Sequence, residues 1–547
     1  MSLKDRILEP DCVYICDGAM GTALHTLGIP LSRCFDEINL SQPEIVERVH
    51  RAYLDAGAQI METNTFGANR IKLEGYGLGQ QTREINLAGA YIARRAVTGR
   101  ALIAGSVGPT GKLMHPFGPL DFDTAVEAYE EQICALCDAG IHLLIVETMQ
   151  DLREAKAAIL AAQRMAGIPI IAQMSFGQEG KSMMGTPPEV AAVVLGALNV
   201  DLVGTNCGTG PQDMLSSLQE MASVTNIGLS AQPNAGLPTL HEGRLIYLST
   251  PEYVAKLSRQ FVESGAVLVG GCCGTTPSHI KAIAESVAGI RPVTRTVESV
   301  TRLASRTKLL EVRSGRLLLM SGKPGFAQLS SASTVASLEA TIAQQSESGA
   351  HIICLDLDSI SVKPRQAVES AQFVSGASLC LASSDLSKLQ EGLRAVEGRP
   401  MIVFRHSDLL DSWEICDLAK QYGALLAIDP GDSAAGPQEV LGICESFVAA
   451  AEEARISRMD LLSYIGELFK NGKASKRAFQ SLQLLTSELG INTIASIDGE
   501  IDETAAQVVK DAVRMGLGLL ITDVSPKTVG LLKGVNVLNQ CGVNLCH

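Results

Sequence analysis

Three cysteines follow apolar stretches of strand length. Cys207 ends "DLVGTNC", and Cys272 and Cys273 end "AVLVGGCC". If both stretches are strands of one parallel barrel, their carboxyl ends open on the same face and the three thiols can converge. Three thiolates with an open fourth position are typical of a catalytic zinc site, because Zn²⁺ prefers tetrahedral sulfur and nitrogen ligands. The glycines on either side of Cys272 and Cys273 allow the sharp turn that two adjacent ligands need.

Such a site predicts thiol chemistry. A zinc ion held by three thiolates keeps an incoming thiol deprotonated at neutral pH without removing its nucleophilicity. The expected reaction is attack of a substrate sulfur on an activated carbon. Hydrolysis is disfavoured, because the chain has nine histidines and no H-E-x-x-H motif. The alternative is that each cysteine is simply a small buried apolar residue.

The elements that would position these thiols repeat along the chain: a helical pattern, a glycine and then an apolar run. Gly57, Gly140 and Gly265 occupy that place, where a left-handed residue ends a helix. Ser41 and Glu44 have the spacing of a capping box. Eight apolar runs in the first half predict a closed (β/α)8 barrel, with an open doubly wound sheet as the alternative. These runs are "VYICD", "QIMETN", "LIAGSV", "HLLIVET", "PIIAQMS", "DLVGTNC", "GLSAQPN" and "AVLVGGCC".

The second half repeats the pattern after a change in composition. Residues 291–316 are rich in Arg, Thr and Ser, which predicts an exposed basic linker. We therefore predict two TIM-type (β/α)8 barrels in tandem, at residues 1–290 and 317–547. Eight runs from "RLLLMSG" to "LGLLITD" would form the second, shorter barrel.

Charge and cysteine usage restrict the class of protein. The formal net charge of −14 disfavours nucleic acid as a partner, because phosphate binding needs clustered Lys and Arg. No apolar run reaches the length of about 18 residues that a membrane span requires, and the first residues lack the apolar core of a signal peptide. The protein is therefore expected to be cytoplasmic. Its 14 cysteines are expected to be free thiols or metal ligands rather than disulfides.

Several motifs together resemble a known family. They are "DGAMGT" (17–22), "ETNTFGAN" (62–69), "GSVGPTG" (105–111), "VETMQDLREAKAA" (146–158), "GTNCGTGP" (204–211), "QPNAGLP" (232–238) and "GGCCGTTP" (270–277). In this order they resemble the homocysteine S-methyltransferase family, which includes the first module of cobalamin-dependent methionine synthase and betaine-homocysteine methyltransferase. The resemblance spans residues ~10–290. It implies methyl transfer to homocysteine, giving methionine.

The resemblance also implies roles for individual residues. Cys207, Cys272 and Cys273 would bind zinc, and the homocysteine sulfur would take the open position. Asn234 would ligate the zinc when substrate is absent. The ammonium and carboxylate of the amino acid would be held by Asp17, Gly18, Ala19, Gly21, Thr22 and Glu147. Physically, strand-end carboxylates suit a cation and a glycine-rich turn offers N–H groups to a carboxylate.

The second half resembles a pterin-binding barrel only in part. "SGAHIICLDLD" (348–358) and "LLAIDPG" (425–431) match that family, and Asp356, Asp358 and Asp429 are the candidate contacts for methyltetrahydrofolate. Other expected pterin contacts are missing, so the barrel is predicted to be degenerate, and each aspartate could equally be a solvated strand-end carboxylate.

The methyl donor is left open by the sequence. No cobalamin-binding D-x-H-x-x-G phrase follows the second half, so a corrinoid is expected on a separate protein, either as the methylated donor or as the carrier of a methyl group from methyltetrahydrofolate. The alternatives are a betaine or methyl-sulfonium donor, another thiol acceptor, and a non-catalytic scaffold that docks a corrinoid protein.

Overall fold

The chain divides into two compact units, Met1–Val297 and Glu298–His547. The computed structural model describes residues 12–164, 167–241, 244–313, 317–321, 334–405, 412–431, 436–470, 473–497, 501–522 and 524–538. Within these ranges, no helix combines the length and the apolar character needed to cross a membrane.

The first unit is built on eight parallel strands. They are β1 (Tyr14–Ile15), β2 (Ile60–Glu62), β3 (Leu102–Val107), β4 (Leu143–Met149), β5 (Ile170–Met174), β6 (Leu202–Asn206), β7 (Gly228–Gln232) and β10 (Ala266–Val269). Their order is β1-β10-β7-β6-β5-β4-β3-β2, and a parallel bridge between Cys16 and Ile60 joins the two ends. Each of the eight predicted runs contains one strand, and the predicted (β/α)8 barrel is confirmed.

Helices and one small hairpin connect these strands. The helices are α1 (Gly21–Thr26), α2 (Ile38–Ser41), α3 (Pro43–Asp55), α4 (Arg70–Glu74), α5 (Thr82–Val97), α6 (Phe122–Asp138), α7 (Leu152–Gln163), α8 (Pro188–Ala197), α9 (Pro211–Ala222), α10 (Pro251–Glu263) and α11 (Pro277–Val287). The hairpin, β8 (Thr239–His241) and β9 (Arg244–Ile246), follows β7.

Local signals in the sequence explain most helix ends. Gly57 and Gly140 have φ of +103° and +78°, so each ends its helix in the left-handed conformation that glycine tolerates. Asp151 caps α7 by accepting a hydrogen bond from the Arg153 N–H. The predicted capping box at Ser41 is wrong. Ser41 instead ends α2, and Gln42 is the N-cap of α3, which begins with Pro43.

The second unit repeats the barrel. Its parallel strands are β13 (Leu318–Ser321), β14 (Ile352–Asp356), β15 (Ser378–Ala382), β16 (Met401–Arg405), β17 (Leu425–Asp429), β18 (Leu461–Lys470), β20 (Asn492–Ile497) and β21 (Leu517–Thr522). The pairing of β17 with β18 closes the ring, and the short β19 (Lys473–Ala474) runs antiparallel to β18. The prediction of two tandem barrels is therefore confirmed.

Helices cover the outside of the second ring. They are α12 (Val335–Glu347), α13 (Pro364–Val374), α14 (Leu386–Ala395), α15 (Ser412–Tyr422), α16 (Pro437–Glu453), α17 (Lys476–Leu484), α18 (Glu503–Arg514) and α19 (Pro526–Gly534). The inward-facing residues of its strands, such as Met320, Cys380 and Ile494, form one apolar core.

The segment predicted as an exposed linker differs from that expectation. Within 291–316, strands β11 (Thr301–Ala304) and β12 (Leu309–Val312) form an antiparallel hairpin, and residues 314–316 lie outside the described ranges. Leu303 and Val312 pack into the core of the second barrel. Their burial removes apolar surface from water, which the Arg- and Thr-rich composition did not indicate.

Candidate metal centre and substrate site

The three predicted thiols meet at the mouth of the first barrel. Cys207 directly follows β6, while Cys272 and Cys273 follow β10, and only β7 lies between these two strands. The sulfur atoms of Cys207 and Cys273 are 3.9 Å apart, and all three sulfurs lie within 4.8 Å of one another. Sulfur ligands of a tetrahedral zinc ion, at about 2.3 Å from the metal, lie about 3.8 Å apart.

Backbone contacts hold the two loops in this position. The Cys272 N–H donates to the Pro233 carbonyl at 2.8 Å, and the Ala235 N–H donates to the Cys273 carbonyl at 2.9 Å. Gly274 has φ of +80°, and a Cβ added to it would lie 2.1 Å from the Tyr247 ring. Only glycine therefore fits the turn that follows the two adjacent thiols.

The thiols cannot all ionise in the absence of a cation. Hydrogen bonds from the Cys272 and Cys273 thiols lower the pKa of Cys207 to about 3. The same contacts raise the pKa of Cys273 to about 12 and that of Cys272 well above its usual value. A divalent cation among the sulfurs would offset the repulsion between thiolates and favour loss of the remaining protons.

Asn234 supplies a fourth candidate ligand. Its side chain is only 4% exposed, and it hydrogen-bonds the Cys207 sulfur. Its Oδ1 has no hydrogen-bond partner among the described residues, which is unfavourable for a buried carbonyl oxygen. Three thiols and one unpartnered amide oxygen form a donor set that fits zinc.

Three carboxyl groups lie in the same barrel mouth, of which Asp17 and Glu147 are buried and Glu62 is partly exposed. Asp17 follows β1, Glu62 ends β2 and Glu147 lies in β4. The Glu62 N–H donates to Asp17 Oδ2 at 3.2 Å. The Glu62 carboxyl also lies beside that of Glu147 and raises its pKa. Within the described ranges, none of the three forms an ion pair with a basic side chain. A cationic ligand would thus be stabilised beside them.

Burial controls the ionisation of these carboxyls. Desolvation raises the pKa of Asp17 and Glu147 well above the usual value and that of Glu62 to about 7. Glu147 accepts hydrogen bonds from Ser106 Oγ at 2.6 Å and Asn206 Nδ2 at 2.9 Å. These two donors fix the direction of the Glu147 carboxylate.

The predicted 18–22 turn packs against the turn that carries the thiols. The Ala19 N–H donates to Thr275 Oγ1 at 3.1 Å, and Thr22 Oγ1 accepts from the Gly274 N–H at 3.1 Å. A Cβ at Gly18 would lie 2.7 Å from Thr275 Oγ1, while Gly21 begins α1. The structure brings this turn next to the thiol site, and its role toward a substrate carboxylate stays a prediction.

The aspartates predicted in the second barrel have partners within the chain. Asp358 is exposed, contacts Ser383, Ser384 and Lys388, and these contacts hold its pKa well below the usual range. Asp356 accepts a hydrogen bond from Ser359 Oγ at 2.5 Å. Asp429 is buried at the end of β17 and accepts from the Gly431 N–H. Their role in binding a folate stays a prediction.

Sequence reasoning did not single out Glu62, Asn206 and Tyr247. Glu62 ends a barrel strand just as Asp17 and Glu147 lie at strand ends, so the same rule could have found it. Asn206 directly precedes a candidate ligand in "GTNC". Tyr247 contacts Cys273 from the segment after β9, and no local signal marks it.

Comparison with known proteins agrees with this geometry. The family model described as homocysteine S-methyltransferase matches residues 14–287. The chain belongs to this family. The matched residues include the three thiols, the three carboxyls and Asn234.

Relatives of this homocysteine S-methyltransferase family member include two methionine synthases. The Mycobacterium tuberculosis protein is 33% identical over 416 residues, and the Mycobacterium leprae protein is 32% identical over 429 residues. Each alignment covers 71% of this chain and 35% of the relative, so the chain matches about a third of their length. The metallated homocysteine methyltransferase MmuM of Escherichia coli is 25% identical, with a TM-score of 0.45. That alignment covers 52% of this chain and 99% of the E. coli chain.

Proposed function

We propose that the first barrel transfers a methyl group to the thiol of homocysteine, giving methionine. The observation that carries this proposal is the convergence of three cysteine sulfurs within 4.8 Å beside buried carboxyls. Membership of the homocysteine S-methyltransferase family supports the choice of reaction and acceptor.

The proposed metal is zinc, held by Cys207, Cys272 and Cys273, with Asn234 as a ligand when substrate is absent. When bound, zinc would act as a Lewis acid that favours the thiolate form of the acceptor. The protein's own part is to hold the acceptor: buried Asp17 and Glu147 are suited to its ammonium group. The backbone of the 18–22 turn would take its carboxylate.

In the proposed reaction, a lone pair of the acceptor sulfur forms a bond to the methyl carbon. The bond from that carbon to the donor breaks, and its electron pair leaves with the donor. Fixing the sulfur and the ammonium group at two points would leave the acceptor few orientations in the barrel mouth. Much of the acceleration would then come from positioning.

The proposed donor is a methylated corrinoid carried by a separate protein, or methyltetrahydrofolate acting through such a corrinoid. The resemblance of the sequence motifs to the first module of cobalamin-dependent methionine synthase supports this choice over a betaine or sulfonium donor. Both mycobacterial relatives are named methionine synthases, which agrees with methionine as the product. In the second barrel, Asp356 and Asp358 already bond to neighbouring side chains, which agrees with a degenerate pterin site. Titration of methyltetrahydrofolate against the full chain tests this point, and saturable binding would restore a folate role.

Metal content and turnover of the purified full chain test the proposal. With homocysteine and methylcobalamin as a probe donor, the wild type should form methionine and hold one zinc. Cys272→Ser should lose the zinc and reduce turnover by more than about 100-fold, because it removes a ligand rather than a supporting group. Cys137→Ser, on the outer helix α6, is the matched control and should keep both its zinc and its turnover. Wild-type protein without zinc, or full activity in Cys272→Ser, would refute the metal assignment.

The same assay separates the donors and acceptors. Activity with betaine or S-methylmethionine but not with methylcobalamin would replace the proposed donor. Methylation of another thiol in preference to homocysteine would replace the acceptor. Zinc binding without turnover of any donor would favour a docking scaffold.

A further inference from the structure

Asn206 joins the two halves of the site. It ends β6, is fully buried and directly precedes Cys207. Its Nδ2 donates to Glu147 Oε2 at 2.9 Å and to Thr148 Oγ1 at 2.8 Å, and lies 3.8 Å from Cys272 Sγ. Its Oδ1 accepts from the Thr148 N–H at 2.7 Å. One amide therefore contacts both the Glu147 carboxyl, proposed to hold the acceptor, and the Cys272 thiol of the candidate metal centre.

The backbone on both sides of this contact is strained. Thr148 and Cys207 have φ of +57° and +56°, the left-handed region that residues other than glycine rarely occupy. Thr148 is β-branched, so this conformation is especially unfavourable for it. The hydrogen bond from its N–H to Asn206 Oδ1 holds it there. Because Thr148 follows Glu147 and Cys207 follows Asn206, the same amide influences the direction of both functional side chains.

The hydrogen-bonding capacity of the amide matches its surroundings. Both acceptors, the Glu147 carboxyl and the Thr148 hydroxyl, need N–H donors, and the Thr148 N–H needs an acceptor. An aspartate at 206 would keep the acceptor but lose both donors and place a second carboxyl beside Glu147. A leucine of similar size would keep the volume and lose every hydrogen bond.

We propose that Asn206 is a positioning residue that couples recognition of the acceptor's ammonium group by Glu147 to the sulfur site. The inference rests on the proposed function and deepens it. With Glu147 fixed relative to Cys272, the site selects thiols that carry an amino group at the distance found in homocysteine. A thiol of the same length without the amino group would gain no affinity from the position of Glu147.

Ligand binding to the cobalt-substituted full chain tests the proposal. The thiolate-to-Co²⁺ absorption band reports the metal centre, and its change on titration gives the affinity for homocysteine and for 4-mercaptobutyrate, which lacks the amino group. Asn206→Leu and Asn206→Asp are compared with wild type. Thr205→Val, at the neighbouring buried position of β6, is the matched control for general damage to the strand.

The wild type and Thr205→Val should prefer homocysteine to 4-mercaptobutyrate. Asn206→Leu and Asn206→Asp should weaken homocysteine binding by about 10- to 100-fold and 4-mercaptobutyrate binding much less, so that the preference is lost. A lower melting temperature with an unchanged preference would show a merely structural role and overturn the inference.

A second variant separates strain from positioning. Thr148→Gly accepts a positive φ freely, so in the Asn206→Leu background it should recover thermal stability without recovering the preference for homocysteine. Recovery of the preference would show that Asn206 serves only to hold the backbone, and would overturn the proposal. If the wild type binds neither cobalt nor homocysteine, the proposed function itself fails. If the wild type binds both and Asn206→Leu keeps the preference for homocysteine, only the role of Asn206 fails.

Discussion

Acid should destabilise the first barrel through His50. This side chain lies on α3 with no exposed surface, and neither ring nitrogen has a hydrogen-bond partner among the described residues. Burial lowers its pKa from 6.5 to about 4, because the charged ring cannot be solvated there. Between pH 6.5 and about pH 4, His50 therefore binds a proton in the unfolded chain but not in the folded chain.

The size of the effect follows from the two pKa values. A tenfold difference in proton affinity corresponds to about 1.4 kcal/mol, so the full difference is roughly 3.4 kcal/mol. The stabilisation is complete above pH 6.5 and is lost as the pH falls toward 4. Between pH 7 and pH 4.5 the free energy of unfolding should fall by about 2.4 kcal/mol through His50 alone.

Hydrogen exchange of peptides from α3, corrected for the intrinsic rate at each pH, measures this loss. Tryptophan fluorescence would not, because the one tryptophan, Trp413, lies in the second unit. Relative to wild type, the free energy of unfolding of His50→Leu should rise by about 2.4 kcal/mol as the pH is lowered from 7 to 4.5. Val46→Ala changes an equally buried residue on the same helix, and its free energy of unfolding should differ from that of wild type by the same amount at every pH. Parallel pH profiles for wild type and His50→Leu would refute the reasoning.

Three further predictions concern the two barrels. Gly274→Ala should weaken zinc binding by about 10-fold or more, because its Cβ would clash with Tyr247, and chelator competition would detect this. An unchanged zinc affinity would mean that the turn can move. Glu62→Gln should raise the KM for homocysteine at unchanged zinc content, since it removes one carboxylate from the cluster with Asp17 and Glu147. Steady-state kinetics would show the change, and an unaltered KM would exclude Glu62 from the substrate site. Leu303→Ala should destabilise the second barrel by about 2–3 kcal/mol, which denaturant unfolding followed by Trp413 fluorescence measures. A loss below about 0.5 kcal/mol would contradict the packing of the β11–β12 hairpin.

Periodicity made both barrels predictable. Most residues of the apolar runs are buried in parallel strands, and glycines such as Gly57 end helices in a conformation that other residues rarely adopt. The β11–β12 hairpin was not predictable in this way. Leu303 and Val312 are single apolar residues among Arg and Thr, and their burial depends on a barrel that forms later in the chain.

The thiols were predictable because strand order alone brings the ends of β6 and β10 together. Asn206 was not, since its partners Glu147 and Thr148 lie 58 or more residues away and the contact depends on the exact pairing of the strand ends. The short helix before α3 shows a similar limit. Ser41 matched a local capping pattern, but the structure uses it to end α2.

The placement of the thiols has a mechanical consequence. They come from β6 and β10, with β7 between them, and the loop after β7 bonds to the Cys272 and Cys273 backbone. A metal ion bound by all three sulfurs would act as a cross-link spanning three neighbouring strands of the ring. Demetallation would then release the β7 loop along with the ligands, so that loss of the ion loosens one sector of the barrel rather than a single side chain.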